Sequence, residues 1–326
     1  MLGDNFRPSG DLSWILSKIP IEKWDIIGCI SFEARFKGAL KQLAESDKVG
    51  KVLYFKIIDP SSKNSKLGDD KIAENLAEFL SFSRSVNEVK DFGLLEATNK
   101  IVDEIRSFVI GSSKNIILDI STFPKRFFFP ILKILLQNPI KNLLVTYSTP
   151  DSYCKEELSF NPEPWANLPL FGNIKYPEPP IDLAIVGVGF MPFGLPRLLV
   201  GKYSATPVKF LFPFPPGPPN YQRTWEFMRK IEKSFNLKET DKIIKLDSNN
   251  LSDAYDYIFH ESDKGKKVVI FAPYGPKPIS LAMCLFAIKY NSAVYYTQPH
   301  DYNPNYSSGL KNTFCYSIIL NSQLLY

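Results

Sequence analysis

The chain has 326 residues, 44% of them hydrophobic and 22% charged, with a formal net charge of +5. This is an ordinary globular composition, long enough for two domains with cores of their own. Lys and Arg are spread along the chain instead of massed in one tail, which disfavours a duplex nucleic-acid binder and suits a small anionic ligand.

Residues 25–31 read as a buried strand, followed by a helix over 36–44 with apolar residues at helical spacing. Residues 51–58 are the next strand, and the Ser-, Lys- and Gly-rich stretch through Asp69 reads as a loop. Helices are predicted over 71–82 and 94–109, a short β-branched strand over 115–120, a helix over 124–137 and a strand over 142–147. Residues 154–180 are rich in Pro and aromatics and read as a connection. Trp165, Leu168, Leu170 and Phe171 mark it as packed on the surface.

The second half repeats the order, with strands at 182–187, 207–212, 242–246, 267–272 and 293–297. Helices fall at 195–203, 221–236, from Ser252 onward, and at 278–290. Asp247-Ser248-Asn249-Asn250 supplies N-cap chemistry before Ser252. The Pro-Gly run 213–220 reads as a stiff loop, and the tail 314–326 as an antiparallel edge strand. Strands alternating with helices imply parallel β-α-β units. The expected organisation is a Rossmann-like unit at 1–153, a connection at 154–180 and a second Rossmann-like unit at 181–326, in a pseudo-two-fold arrangement.

Three landmarks support a tandem duplication. Ile27-Gly28-Cys29-Ile30-Ser31-Phe32 matches Ile185-Val186-Gly187-Val188-Gly189-Phe190, with Phe32 and Phe190 separated by 158 positions. The run from Asn115 to Pro124-Lys125 matches the run from Lys267 to Pro276-Lys277. Tyr147-Ser148-Thr149-Pro150-Asp151 matches Tyr296-Thr297-Gln298-Pro299-His300.

In an open parallel sheet, ligands sit at the carboxyl ends of the strands, and all three landmarks fall there. Small and hydroxyl residues before a helix start let backbone N–H groups face an anion, while a nearby cation supplies charge. The candidate ligand-binding residues are therefore Ser31, Phe32, Glu33, Ser121, Thr122, Lys125 and Arg126 in the first half. In the second half they are Gly187, Gly189, Phe190, Tyr274, Gly275, Lys277, Thr297, Gln298 and His300. The plainer alternative is that Gly and Ser merely permit tight turns beside solvated lysines. Recurrence of Pro-Lys in both halves favours the first reading.

Asp119, Glu33 and His300 are the candidates for acid–base chemistry, and a hydrogen-bonding role for His300 is the commoner one. No Gly-x-x-x-x-Gly-Lys-Ser/Thr run occurs, and Gly187-Val188-Gly189 lacks the third glycine of a dinucleotide fingerprint. No nucleophile elbow and no metal-ligand spacing is visible, so neither a metal nor a cofactor is expected. The four cysteines are widely separated without a Cys-x-x-Cys pair. No stretch approaches the roughly 20 apolar residues of a membrane helix, and the first residues lack a signal-peptide core. A cytoplasmic compartment without a membrane partner is the default expectation.

The segment Ala272-Pro273-Tyr274-Gly275-Pro276-Lys277-Pro278-Ile279-Ser280 resembles the strand–turn–Lys–helix motif of the CARF family, the CRISPR-associated Rossmann fold. Asp119-Ile120-Ser121-Thr122-Phe123-Pro124-Lys125-Arg126 is a looser version. A chain with two such units also resembles the SAVED sensors of cyclic-oligonucleotide defence systems. Here Pro stands before each Lys where that family has Thr, and no fused nuclease, protease or membrane effector is recognisable. The resemblance implies a sensor that binds a nucleotide or cyclic oligonucleotide between its two units and signals to a separate effector or partner protein. Lys125, Arg126 and Lys277 would contact phosphate. The alternatives are a nucleotide-processing hydrolase or transferase using Asp119 or Glu33 with Lys125 and Lys277, and a non-catalytic scaffold subunit.

Overall fold

Strands buried on both faces need apolar residues at successive positions, and the first strand of each half meets that condition throughout. The computed structural model describes residues 6–58, 65–82, 87–157, 159–172, 179–201, 203–214, 221–233 and 235–326. The first half runs β1 (Ser9–Asp11), α1 (Leu12–Lys18), β2 (Trp24–Ile30), a 3₁₀ turn (Ala34–Lys37), α2 (Gly38–Glu45), β3 (Val49–Ile58) and α3 (Ser65–Phe82). It continues through β4 (Asn87–Gly93), α4 (Thr98–Ile110), β5 (Asn115–Asp119), α5 (Lys125–Leu136) and β6 (Asn142–Ser148). The second half runs β7 (Leu183–Gly187), α6 (Leu195–Val200), β8 (Val208–Phe214), α7 (Tyr221–Glu232) and β9 (Lys242–Asp247). Then come α8 (Leu251–Glu261), β10 (Val269–Pro273), α9 (Lys277–Tyr290), β11 (Ala293–Tyr296) and, at the end, β12 (Thr313–Leu320).

The protein is α/β, with two mostly parallel sheets flanked by helices in two Rossmann-like units. Unit 1 comprises Met1–Asn161 and His300–Leu325, and unit 2 comprises Pro162–Pro299 with Tyr326. In unit 1 the strand order is β1-β12-β6-β5-β2-β3-β4. In unit 2 it is β9-β8-β7-β10-β11, with the short strand Ala166–Asn167 antiparallel on β11. When the parallel strands of each unit are numbered in their own chain order, both sheets read 3-2-1-4-5. Each order reverses between strands 1 and 4, at β2/β5 and β7/β10, and in open α/β sheets the carboxyl ends of the strands at such a reversal are the usual ligand position.

The duplication extends to the amino ends of these strands. Asp25 is 3% exposed. Its carboxylate accepts hydrogen bonds from Lys51 N at 2.7 Å and Ser113 N at 2.5 Å. Asp182 accepts from Val268 N at 2.8 Å, the same clamp between strands 1 and 4 of unit 2.

Alternate residues of each strand feed opposite layers. In unit 1, Val52 and Tyr54 of β3 join the core under α1, α2 and α3. Phe55 of the same strand stacks on Phe92, with ring centres 4.5 Å apart, and meets Phe123 edge-on at 5.5 Å. In unit 2, Val208, Phe210 and Phe212 pack against Leu198 and Leu199 of α6 and Phe227 and Ile231 of α7. Phe271 meets Phe286 of α9 at 5.6 Å.

Several boundaries differ from the sequence reading. The loop expected through Asp69 gives way to α3 at Ser65, and α4 begins at Thr98 instead of 94. Strand β4 was not expected: it is an edge strand whose composition, Asn-Glu-Val-Lys-Asp-Phe-Gly, needs only one covered face. The tail is antiparallel as expected but is not an edge. β12 pairs with β6 on one side and β1 on the other, so the C-terminal part of the expected second unit belongs to unit 1. The connection expected at 154–180 contributes to unit 2: Leu168 N donates to Val294 O at 2.8 Å, and Trp165 meets Tyr295 edge-on at 5.6 Å. The part of the expected Pro-Gly loop at 215–220 lies outside the described residues.

Candidate functional site

In unit 1 the chain leaves β2 through Ser31 and the half-buried Phe32 to Glu33. Glu33 accepts a fork of hydrogen bonds from Arg35, from Nε at 2.8 Å and from Nη2 at 3.0 Å. The side chains are 8% and 4% exposed respectively, so this ion pair is shielded from water. Arg35 Nη1 donates to Ser148 O at 3.3 Å, at the end of β6, and Ser307 Oγ donates to Glu33 Oε2 at 2.5 Å. The guanidinium lies 5.7 Å from the centre of the Tyr147 ring. Burial opposes its charge, but Glu33, then Tyr147 and Tyr153, outweigh that and hold Arg35 above its ordinary pKa. Glu33 is thus already engaged by a cation and a hydroxyl.

Asp119 ends β5 and is 2% exposed. It accepts from Ser121 N at 3.0 Å and also from the Ser121 hydroxyl. Ser121 Oγ in turn accepts from Ser148 N at 2.7 Å, and Thr122 Oγ1 donates to Cys29 O at 2.5 Å. These hydroxyls stitch the carboxyl ends of β2, β5 and β6 together. They hold Asp119 in a turn at the switch point.

The recurrent Pro-Lys adopts the same backbone in both units. Pro124 caps α5 with φ −59° and ψ 149°, and Pro276 caps α9 with φ −55° and ψ 153°. Neither helix start has a side-chain cap or an acidic residue in its first turn, and each begins on Lys. By contrast, Asn250 Oδ1 caps α8 by accepting from Asp253 N at 3.1 Å. A cation at a helix N-terminus opposes the helix dipole at a cost on the order of 0.3–1 kcal/mol, and a bound anion reverses the sign.

Lys125 is half-buried, and burial of its ammonium pushes its pKa down from 10.5 to about 7. The unfolded chain therefore binds more protons than the folded one between those values. Through that window the Lys125 contribution to stability rises with pH, by less than about 1.4 kcal/mol per pH unit given its partial exposure. Below pH 7 the cost of burying the charge is fully present. Urea unfolding of Lys125→Met should show the variant more stable than the wild type at pH 7, with the gap closing towards pH 10. A gap independent of pH would refute this assignment.

In unit 2, Gly187 ends β7, and Gly189 and the half-buried Phe190 follow. A Cβ on Gly189 would stand 2.1 Å from Tyr274 O, and one on Gly275 3.0 Å from Val188 O. The loops after β7 and β10 touch backbone to backbone, so these glycines serve close packing of one turn on the other. Tyr274 is buried beside Phe227 and Tyr296, with ring centres at 6.0 and 5.4 Å, and its hydroxyl pairs with Thr297 Oγ1 at 2.9 Å. Burial pushes the phenols of Tyr274 and Tyr296 up. Gln298 is buried and donates from Nε2 to Pro299 O at 2.8 Å. Lys277 is half-buried at the first position of α9.

The expected residues thus fall into two sets. Unit 1 gathers Ser31, Phe32, Glu33, Asp119, Ser121, Thr122, Lys125 and Arg126 around β2 and β5. Unit 2 gathers Gly187, Gly189, Phe190, Tyr274, Gly275 and Lys277 around β7 and β10, with Thr297 and Gln298 after β11. His300, half-buried on the strand Pro299–Tyr302, is where the chain returns to unit 1. The sequence reading missed Arg35, Ser148 and Ser307. A signal existed for Arg35, in the opposite charge two positions after Glu33, and for Ser148, inside the third landmark. Ser307 reaches Glu33 across 274 positions and left no local trace. Among the described residues no helix is long and apolar enough to cross a membrane. No protein-family model matches the chain, and no curated protein matches it significantly.

Proposed function

We propose that the protein is a ligand-binding sensor of CARF/SAVED type, which holds a small anionic, nucleotide-like ligand at the carboxyl edges of its parallel sheets and reports occupancy to a separate effector. One observation carries the reading. Two units of the same 3-2-1-4-5 order each start an uncapped helix on Lys directly after the fourth strand, at the point where the order reverses. A cation at the positive end of a helix costs stability without an anion, and the same costly choice recurs in both units. The hydrolase alternative draws less support. Glu33 is engaged by Arg35 and Ser307, and Asp119 is held by Ser121, so neither carboxylate is placed as an unencumbered base.

The test is thermal unfolding against a panel of mono-, di- and cyclic oligonucleotides, with each compound checked for integrity afterwards. A ligand present at 100 times its Kd stabilises the native state by about 2.7 kcal/mol. A raised midpoint with intact ligand is the expected result. A raised midpoint with converted ligand would establish an enzyme instead, and no shift across the panel would refute the sensor.

A further inference from the structure

The two units build the same joint from different charges. In each, the helix after the second parallel strand packs on the loop after the first. In unit 1 that helix is α3, and its contacts are neutral or acidic. Asn75 Nδ2 donates to Ser31 O at 2.6 Å, and Glu78 accepts from Lys37 Nζ at 2.6 Å. Arg35, in the same stretch, is matched by Glu33. The cations of this loop are thus answered from within.

In unit 2 the helix is α7, and its contacts on the loop after β7 are cationic. The Arg223 guanidinium lies 5.8 Å from the centre of the Phe190 ring. Lys230 Nζ donates to Met191 Sδ at 3.3 Å. A thioether is a weak acceptor for an ammonium, which normally holds water, a carbonyl or a carboxylate. Lys230 makes no ion pair among the described residues. Glu226, one turn earlier on α7, is exposed and makes none either. The first turn of α7 holds no acid. The loop that these cations touch is the one whose Gly189 packs on Tyr274, at the start of the turn that leads into Lys277 and α9.

We propose that α7 is the anion-gripping helix and unit 2 the half that carries the ligand: Arg223 and Lys230 hold phosphate groups of a ligand bearing at least two negative charges, beside the Phe190 ring. This rests on the nucleotide-sensor reading and assigns it to one unit. Arg presents a planar fork suited to phosphate, and Lys a point charge that exchanges a poor sulfur partner for an oxyanion. In unit 1 the two cations of the corresponding loop, Arg35 and Lys37, are instead paired with Glu33 and Glu78.

Fluorescence anisotropy with two probes tests this, N-methylanthraniloyl-ATP and a fluorescein-labelled ribonucleotide trimer. Arg223→Gln and Lys230→Gln should each weaken binding about tenfold, the loss of one charge-assisted contact. Both should flatten the salt dependence, while Arg223→Lys recovers part of the loss. Melting temperatures near the wild-type value check that the variants fold. The double change Lys41→Gln/Lys100→Gln, at exposed unit 1 lysines outside the candidate binding residues, should alter affinity less than about twofold. The proposal falls if the wild type binds while the α7 variants bind equally well, or if the unit 1 variant loses as much. A wild type that binds neither probe overturns this proposal together with the sensor reading.

Discussion

Replacing Arg35 by methionine should destabilise unit 1 by about 3–5 kcal/mol, because it strands the Glu33 carboxylate in the interior without its cation. The side chain that leaves makes three hydrogen bonds, two to Glu33 and one to Ser148 O, and lies over Tyr147. The contacts join the loop after β2 to the end of β6, so the loss falls on the carboxyl edge of the first sheet. Urea unfolding reads the loss as a lower midpoint with little change of slope. The double variant Arg35→Met/Glu33→Leu removes both charges and should recover most of the loss, since well-packed apolar pairs replace buried ion pairs at little net cost. A loss under about 1 kcal/mol for Arg35→Met would mean that water screens the pair as it screens a surface one.

A second large effect is expected from one added methyl group. Gly189→Ala places Cβ 2.1 Å from Tyr274 O, and a carbonyl oxygen of the main chain cannot rotate aside as a side chain does. The loops after β7 and β10 must separate, at a cost of about 3 kcal/mol or more. Gly172→Ala is the control in the same unit: its Cβ meets nothing nearer than 3.6 Å, and the change should stay within about 0.5 kcal/mol. Thermal melting of the two variants side by side gives the comparison. Equal midpoints would show that the contact between the two loops yields easily.

Much of the architecture was legible because burial on both faces leaves a strong mark. The continuous apolar runs at Ile26 to Ile30 and at Leu183 to Val186 announce central strands, and the repeated landmarks lie just beyond the first, fourth and fifth parallel strands of each unit. The cap at Asn250 was readable from local chemistry alone. What stayed hidden has a physical reason in each case. β4 sits at an edge, so half of its side chains face water and its sequence alternates weakly. The partner of β12 lies far away in sequence, and nothing near Thr313 names it. The glycines after β7 were ambiguous, because close approach to a ligand and close approach to another backbone demand the same absent side chain. Glu33 carried the sign of a reactive carboxylate only until its partner was seen.

The return of β12 to β6 spans 165 positions, counted from Ser148 to Thr313, and it makes unit 2 an insertion within unit 1. During synthesis this imposes an order. Residues 162–299 contain nearly every partner of the second sheet and can collapse as soon as they leave the ribosome. The first sheet must wait, for roughly ten to thirty seconds at ordinary elongation rates, with β6 as a provisional rim. That strand is buried at every position once folding is complete, so until β12 arrives it is an apolar ribbon with an unpaired row of amides and carbonyls. The nascent chain is therefore most exposed to self-association and to chaperone capture in the interval between emergence of Ser148 and emergence of Thr313.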